Sequence, residues 1–98
     1  MTFEWDEEKN KINKRIHDGI SFEYAARVFL DAKRIELLDE KHSDEWEERY
    51  NVIGYVEKVL FVVYTGRGDD NIRIISARRA TSKEEAIYYE NYDIRWSD

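Results

Sequence analysis

The 98-residue sequence contains no cysteine and no proline, and only four glycines. Without cysteine, neither a disulfide framework nor a thiolate metal site can form, which fits a reducing compartment. Without proline, the ends of helices must rest on Gly, Asn, Asp, Ser and Thr. Long hydrophobic runs are missing as well. The longest, Val59 to Tyr64, falls far short of the roughly 20 apolar residues that span a bilayer. The N-terminus carries no apolar stretch of the secretory kind. These absences point to a single soluble domain over residues 1–98 in the cytoplasm, with no membrane partner.

Charge is abundant but uneven. The formal net charge is −6, which argues against a general nucleic-acid binder. Residues 36 to 48 concentrate the acid: Glu36, Asp39, Glu40, Asp44, Glu45, Glu47 and Glu48 stand against Lys41 alone, a local −6. Residues 66 to 83 are the reverse: Arg67, Arg73, Arg78, Arg79 and Lys83 stand against Asp69 and Asp70, a local +3. Lys9, Lys11, Lys14 and Arg15 form a second basic cluster. One face of an acidic protein is thus able to attract phosphate.

Periodicity supplies the elements. Phe3-Glu4-Trp5 alternates as a short strand does. Asp6 reads as the N-cap of a helix over about residues 7 to 17, with Ile12 and Ile16 as a narrow apolar stripe and Gly19 as its break. Ser21 opens a second helix, in which Phe22, Ala25, Ala26 and Phe29 share a face. Ile35 to Leu38 suggests a strand, and 39 to 48 an acidic loop. Residues 49 to 57 form a strand with Gly54 as a bulge candidate. Val59 to Thr65, nearly all β-branched or aromatic, reads as a central strand buried on both faces. A turn at 66 to 71 leads to a strand at 72 to 77. Thr81 then starts the last helix, with Glu84 as its capping-box partner. The order β-α-α-β-β-β-β-α predicts an α+β domain: an antiparallel meander of about four strands, covered on one face by two N-terminal helices and one C-terminal helix.

Several stretches, in order, resemble one family. "RIISARRATSKE" at 73 to 84 closely resembles the signature of the BrnT family, small toxins of type II toxin–antitoxin systems. "FEWDEEKNKIN" at 3 to 13, "GISFEYAARVF" at 19 to 29, "DEKHSDEWEER" at 39 to 49 and "VVYTGRGD" at 62 to 69 resemble the other segments of that family collinearly. The resemblance implies a RelE-like fold and an RNA-cleaving activity that uses neither metal nor other cofactor. It also implies a neighbouring antitoxin, BrnA-like, with a ribbon-helix-helix DNA-binding part. The toxin would then meet DNA only through that antitoxin, in a complex that represses its own promoter. One departure stands out. The family usually reads Lys-His-Gly before the second helix, whereas this chain reads His17-Asp18-Gly19.

RNA cleavage without a metal needs a base for the 2′-OH, cationic donors for the phosphorane, and an acid for the 5′-oxygen. Arginine suits the second task, since its planar fork matches phosphate oxygens. Read from the residues alone, Arg78 and Arg79 are either a phosphate contact or a solvated strand end facing the acidic loop. On a continuing strand they point to opposite sides. With the resemblance, Arg78 leads as the phosphate contact. Arg73, read as sharing a strand face with Ile75 and Ala77, and Arg67, in the Gly-Arg-Gly-Asp turn, join it as expected catalytic residues, with His17 as proton carrier. Arg79, Lys9, Lys14 and Tyr88 are expected to contact RNA, the tyrosine by stacking. His42 reads first as a solvated loop residue. The second function that the residues allow is a binding module without cleavage, acting with its antitoxin as co-repressor.

Overall fold

The computed structural model describes residues 1–68 and 70–96, with residues 91–96 described by their backbone. In chain order the elements are β1 (Thr2–Glu4), α1 (Glu7–Ile16), α2 (Phe22–Ala25), which runs on as a 3-10 turn (Ala26–Leu30), and β2 (Ile35–Leu38). A second 3-10 turn (Glu40–His42) follows, then β3 (Arg49–Val56), β4 (Lys58–Gly66), β5 (Asn71–Arg79) and α3 (Ser82–Trp96). The α+β class and the element order agree with the sequence reading. Strands β2 to β5 form the expected antiparallel meander. The sheet has five strands in the order β1-β5-β4-β3-β2, because β1 adds to the β5 edge in parallel, Thr2 opposite Asn71.

The helix ends follow their capping chemistry. Asp6 accepts hydrogen bonds from the N–H groups of Glu8 and Lys9 at 2.8 and 3.3 Å. Gly19 takes a left-handed conformation (φ +75°), and its N–H reaches the Lys14 carbonyl at 2.8 Å. Ser21 Oγ accepts from Tyr24 N–H. At α3, Thr81 and Glu84 exchange the two bonds of a capping box, at 2.9 and 3.2 Å.

The face that α1 buries corrects the expected stripe. Ile12 and Ile16 are 48% and 64% exposed, while Asn10 and Asn13 are buried. The reason lies in the sheet edge. Beyond the short β1, the β5 edge has no partner strand among the described residues, and Asn13 takes that place. Its amide donates to the Ala77 carbonyl at 2.8 Å and accepts from the Ala77 N–H at 3.1 Å, with a further bond to the Ile20 carbonyl. Asn10 accepts from the Phe22 N–H and donates to Glu7 and Glu23. Polar satisfaction, not apolar burial, orients this helix.

The sheet has one closed face and one partly open face. On the closed face Val52, Leu60, Val62, Ile74 and Ala77 pack under Phe22, Ala25 and Val28. Gly54 belongs here. It pairs in regular register with Leu60, so it is not a bulge. A Cβ at this position would lie 2.9 Å from the Val28 Cβ, so its role is to let the 3-10 turn approach. The helices do not share one face. α3 lies on the other side, where Tyr88 and Ala80 pack on Ile53 and Val59. The chain is turned there by the buried Ala80, whose N–H bonds the Val59 carbonyl. α3 covers only part of this face. Val59 is buried, but Phe61 and Val63 are half exposed, so β4 is sealed on both sides only in part.

The bulge that the sequence reading placed at Gly54 occurs instead in β5. Ser76 faces Val63 and Ile74 faces Tyr64, leaving Ile75 as the extra residue. It reverses the strand's parity. Arg73, opposite Thr65, lies on the open face, whereas Ala77, opposite Val62, turns into the core. The expected common face of Arg73 and Ala77 is thereby corrected, and Arg73 shares its face with Ser76 and Arg78 instead.

Candidate active site

On the uncovered part of the open face lies a groove of about 450 Å³. Its floor is Phe61 and Val63 of β4, with Ile75 of the bulge. Arg49 and Asn51 of β3 line one side with Asp39 and His42 from the acidic loop, and Ser76 and Arg78 of β5 line the other.

Arg78 is fixed from two directions. Glu84 of α3 receives both arms of its guanidinium, Nη1 to Oε1 at 2.7 Å and Nη2 to Oε2 at 2.9 Å. The Phe61 ring lies beneath, 4.2 Å from Cζ to the centroid. The hydrogen bonds to Glu84 strengthen the hold of Arg78 on its proton. The same bonds, against some desolvation and with help from the Thr81 N–H, keep the Glu84 carboxyl below its ordinary range. Glu84 is therefore both the cap of α3 and the anchor of the groove's arginine.

The acidic loop is built rather than loose. The Asp39 N–H closes its base on the Arg49 carbonyl at 2.8 Å. Ser43 Oγ bridges the same ends, donating to the Asp39 carbonyl at 2.7 Å and accepting from the Arg49 N–H at 2.8 Å. Asp44 caps the turn beyond by accepting from Trp46 and Glu47 N–H. Inside this frame the His42 ring Nδ1 lies 2.9 Å from Asp39 Oδ2. The His42 side chain is 62% exposed and that of Asp39 16%. The bond from His42, with Asn51 adding to it, holds the Asp39 carboxyl below its usual range despite desolvation.

The residues expected from the sequence fall into several places. Arg78 lies in the groove. Arg73 shares its face but stands toward the β1 edge, where Nη1 meets Glu4 Oε2 at 2.9 Å. Arg67 lies 3.7 Å from Glu47 Oε2 and lines a separate cavity of about 330 Å³ with Trp46 and Tyr50. Arg79 is exposed and, as expected, on the face opposite Arg78, since it pairs with Leu60. His17 is the C-cap of α1, and Lys9 and Lys14 are exposed on the same helix. Among the described residues the groove's lining includes none from α1, so His17 is not brought to Arg78. Tyr88 is only 3% exposed and donates its hydroxyl to Asp31 Oδ2 at 2.6 Å. Its ring is packing in the second core and is not offered to a base. That bond, with the N–H groups of Lys33 and Tyr55, outweighs burial and lowers the Asp31 pKa.

Sequence reasoning left out Arg49, Asp39 and His42 from the groove. Two signals were available: the Asp-x-x-His spacing, which is an N-cap relation across one 3-10 turn, and the alternation of Arg49 with Asn51 toward one face of β3. Among the described residues no group of three or more His, Asp or Glu side chains is placed to hold a metal ion. No helix among them is long and apolar enough to cross a membrane.

A small α+β domain with an arginine-bearing groove on the open face of an antiparallel meander is the class that this fold and site define. The family described as "Ribonuclease toxin, BrnT, of type II toxin-antitoxin system" matches residues 5–84, and the chain belongs to that family. The solved structure of the Brucella abortus ribonuclease toxin, BrnT, is similar in fold, with a TM-score of 0.63 at 24% identity over 84% of this chain and 99% of that one. No curated protein matches the chain. Membership in a type II system implies an antitoxin partner.

Proposed function

We propose that the chain is a metal-independent endoribonuclease acting on RNA in the cytoplasm. In this reading it is neutralised by a BrnA-like ribbon-helix-helix antitoxin, through which alone it meets DNA. The observation that carries the reading is the setting of Arg78: a guanidinium locked by Glu84 over the Phe61 ring, in an open groove, with Arg49 across the floor. A preorganised cation needs little rearrangement when charge develops on a phosphorane. Phe61 and Val63 offer an apolar floor on which a splayed base can rest. Arg73, on the same face toward the β1 edge, and Arg79, at the end of β5 on the opposite face, serve as further phosphate contacts outside the groove, and the basic side chains of α1 act at longer range as steering charge.

Purified chain, freed of antitoxin and kept in excess chelator, is expected to cleave a mixed-sequence RNA. Arg78→Ala should lower kcat by about 100-fold or more, and Arg78→Lys should recover little, since it keeps the charge but loses the fork. Intact RNA with the wild type, or equal cleavage by Arg78→Ala, would sink the reading.

One observation favours the second reading, a binding module that represses transcription with its antitoxin and does not cleave. Arg78, Arg73 and Arg67 each pair with a carboxylate, namely Glu84, Glu4 and Glu47. Phosphate must compete with these partners. Growth arrest on expression of the chain alone counts against this alternative.

A further inference from the structure

Arginines bind a phosphate but do not move protons at neutral pH, so a cleaving groove needs a titratable group beside them. Among the described residues that line this groove, His42 is the one histidine. From the geometry we infer that His42 is the general base of the groove and Asp39 the residue that positions it, an inference that rests on the ribonuclease reading above.

Three features carry it. The first is the hydrogen bond between His42 Nδ1 and Asp39 Oδ2, at 2.9 Å. An ionised carboxylate can only accept, so Nδ1 carries a proton, and in the neutral imidazole Nε2 is the nitrogen with the lone pair. The second is the support behind the pair. Asp39 also accepts from the His42 backbone N–H at 3.3 Å, and its own N–H is tied to Arg49. The ring therefore hangs on a braced turn, and its brace is continuous with the strand that carries Arg49. The third is company: the charged groups that share the groove with His42 are Asp39, Arg49 and Arg78, with Glu84 behind Arg78 and Glu47 paired with Arg49 at 3.4 Å.

The step then balances. His42 Nε2 takes the 2′-OH proton as the O2′–P bond forms. The P–O5′ bond breaks, and the 5′-oxygen takes a proton from water. Arg78 and Arg49 face the charge on the non-bridging oxygens. The products are a 2′,3′-cyclic phosphate and a 5′-hydroxyl, and His42 returns its proton to solvent.

The test uses the full chain and a short oligoribonucleotide, with a second oligonucleotide bearing a single 2′-deoxy residue at the cleaved position to report binding. His42→Gln is expected to lower kcat by about 100-fold or more while binding the deoxy analogue as the wild type does. Asp39→Asn presents an amide N–H to Nδ1 and so favours the opposite tautomer, with Nε2 protonated. It should lose at least about tenfold, because the imidazole is held in the wrong state. The pH profile separates chemistry from structure. In the wild type kcat/KM rises with pH as the general base loses its proton, and this limb disappears in His42→Gln. A merely structural role would lower the rate and leave the limb in place. Wild-type cleavage matched within threefold by His42→Gln, with the limb unchanged, overturns the assignment of His42 alone. Wild-type protein that cleaves neither RNA nor the oligoribonucleotide overturns the ribonuclease reading and this inference with it.

Discussion

The two faces of the sheet are made from the same strands and serve opposite ends. On β4, Leu60 and Val62 are wholly buried beneath α2 and its 3-10 extension, while Phe61 and Val63, one residue along, floor an open groove. The closed face is filled by the apolar side chains of the main core. The open face carries Arg49, Asn51, Ser76 and Arg78 because α3 stops short of covering them. Stability and candidate chemistry are thus separated by the pleat of a single strand.

Substitutions on the two faces should separate in the same way. The largest contrast is between Phe22 and Phe61. Phe22→Ala removes a fully buried ring from the closed face and should cost about 3–5 kcal/mol. Phe61→Ala empties a half-exposed site and should cost roughly 1–2 kcal/mol, yet it takes the ring from under Arg78 and should reduce RNA cleavage more than its effect on stability explains. Urea melts and cleavage assays on the same samples would check both; equal stability losses would erase the distinction between the faces. Next in size is Asn13→Leu. It strands the Ala77 N–H and the carbonyls of Ala77 and Ile20, and should cost about 2–3 kcal/mol even though it makes α1 more apolar. A variant as stable as the wild type in urea would mean that α1 does not need this anchor.

The smallest effect sits where the faces meet, at Glu84. Its carboxyl is held below the ordinary range by Arg78. Such a group stabilises the fold above its unfolded pKa, about 4.3, and gives up that contribution as pH falls through its lower folded value. Wild-type stability should therefore decline on acidification below about pH 5. Glu84→Gln should show a shallower decline in thermal melts over the same window, with Asp31 and Asp39 still contributing. An unchanged slope would mean that the Arg78–Glu84 pair adds nothing to stability.

Much of this was legible in the sequence. Asp6, Ser21 and the Thr81–Glu84 pair marked helix starts because capping is local chemistry. The β-branched runs gave the meander because strand propensity and short turns suffice to pair neighbours. What stayed hidden depended on contacts across the chain. Asn10 and Asn13 read as polar surface because nothing in a helix sequence reveals that a strand edge 64 residues away needs an amide. The face chosen by α3 depends on Asp31, which receives the Tyr88 hydroxyl across 57 residues. His42 read as solvated because seven carboxylates crowd its stretch of sequence. The loop folds one of them, Asp39, onto the histidine and closes its own base on Arg49.

The bulge at Ile75 changes how distance along β5 is counted. Arg73 and Arg78 are five residues apart, an odd interval that would set them back to back on a regular strand. Their partners on β4, Thr65 and Phe61, are four apart, an even interval. The chain counts five while the ladder counts four, and that one uncounted residue turns two arginines the same way. A comparison of related sequences that allowed a gap or insertion between these arginines would be exchanging the groove for the core.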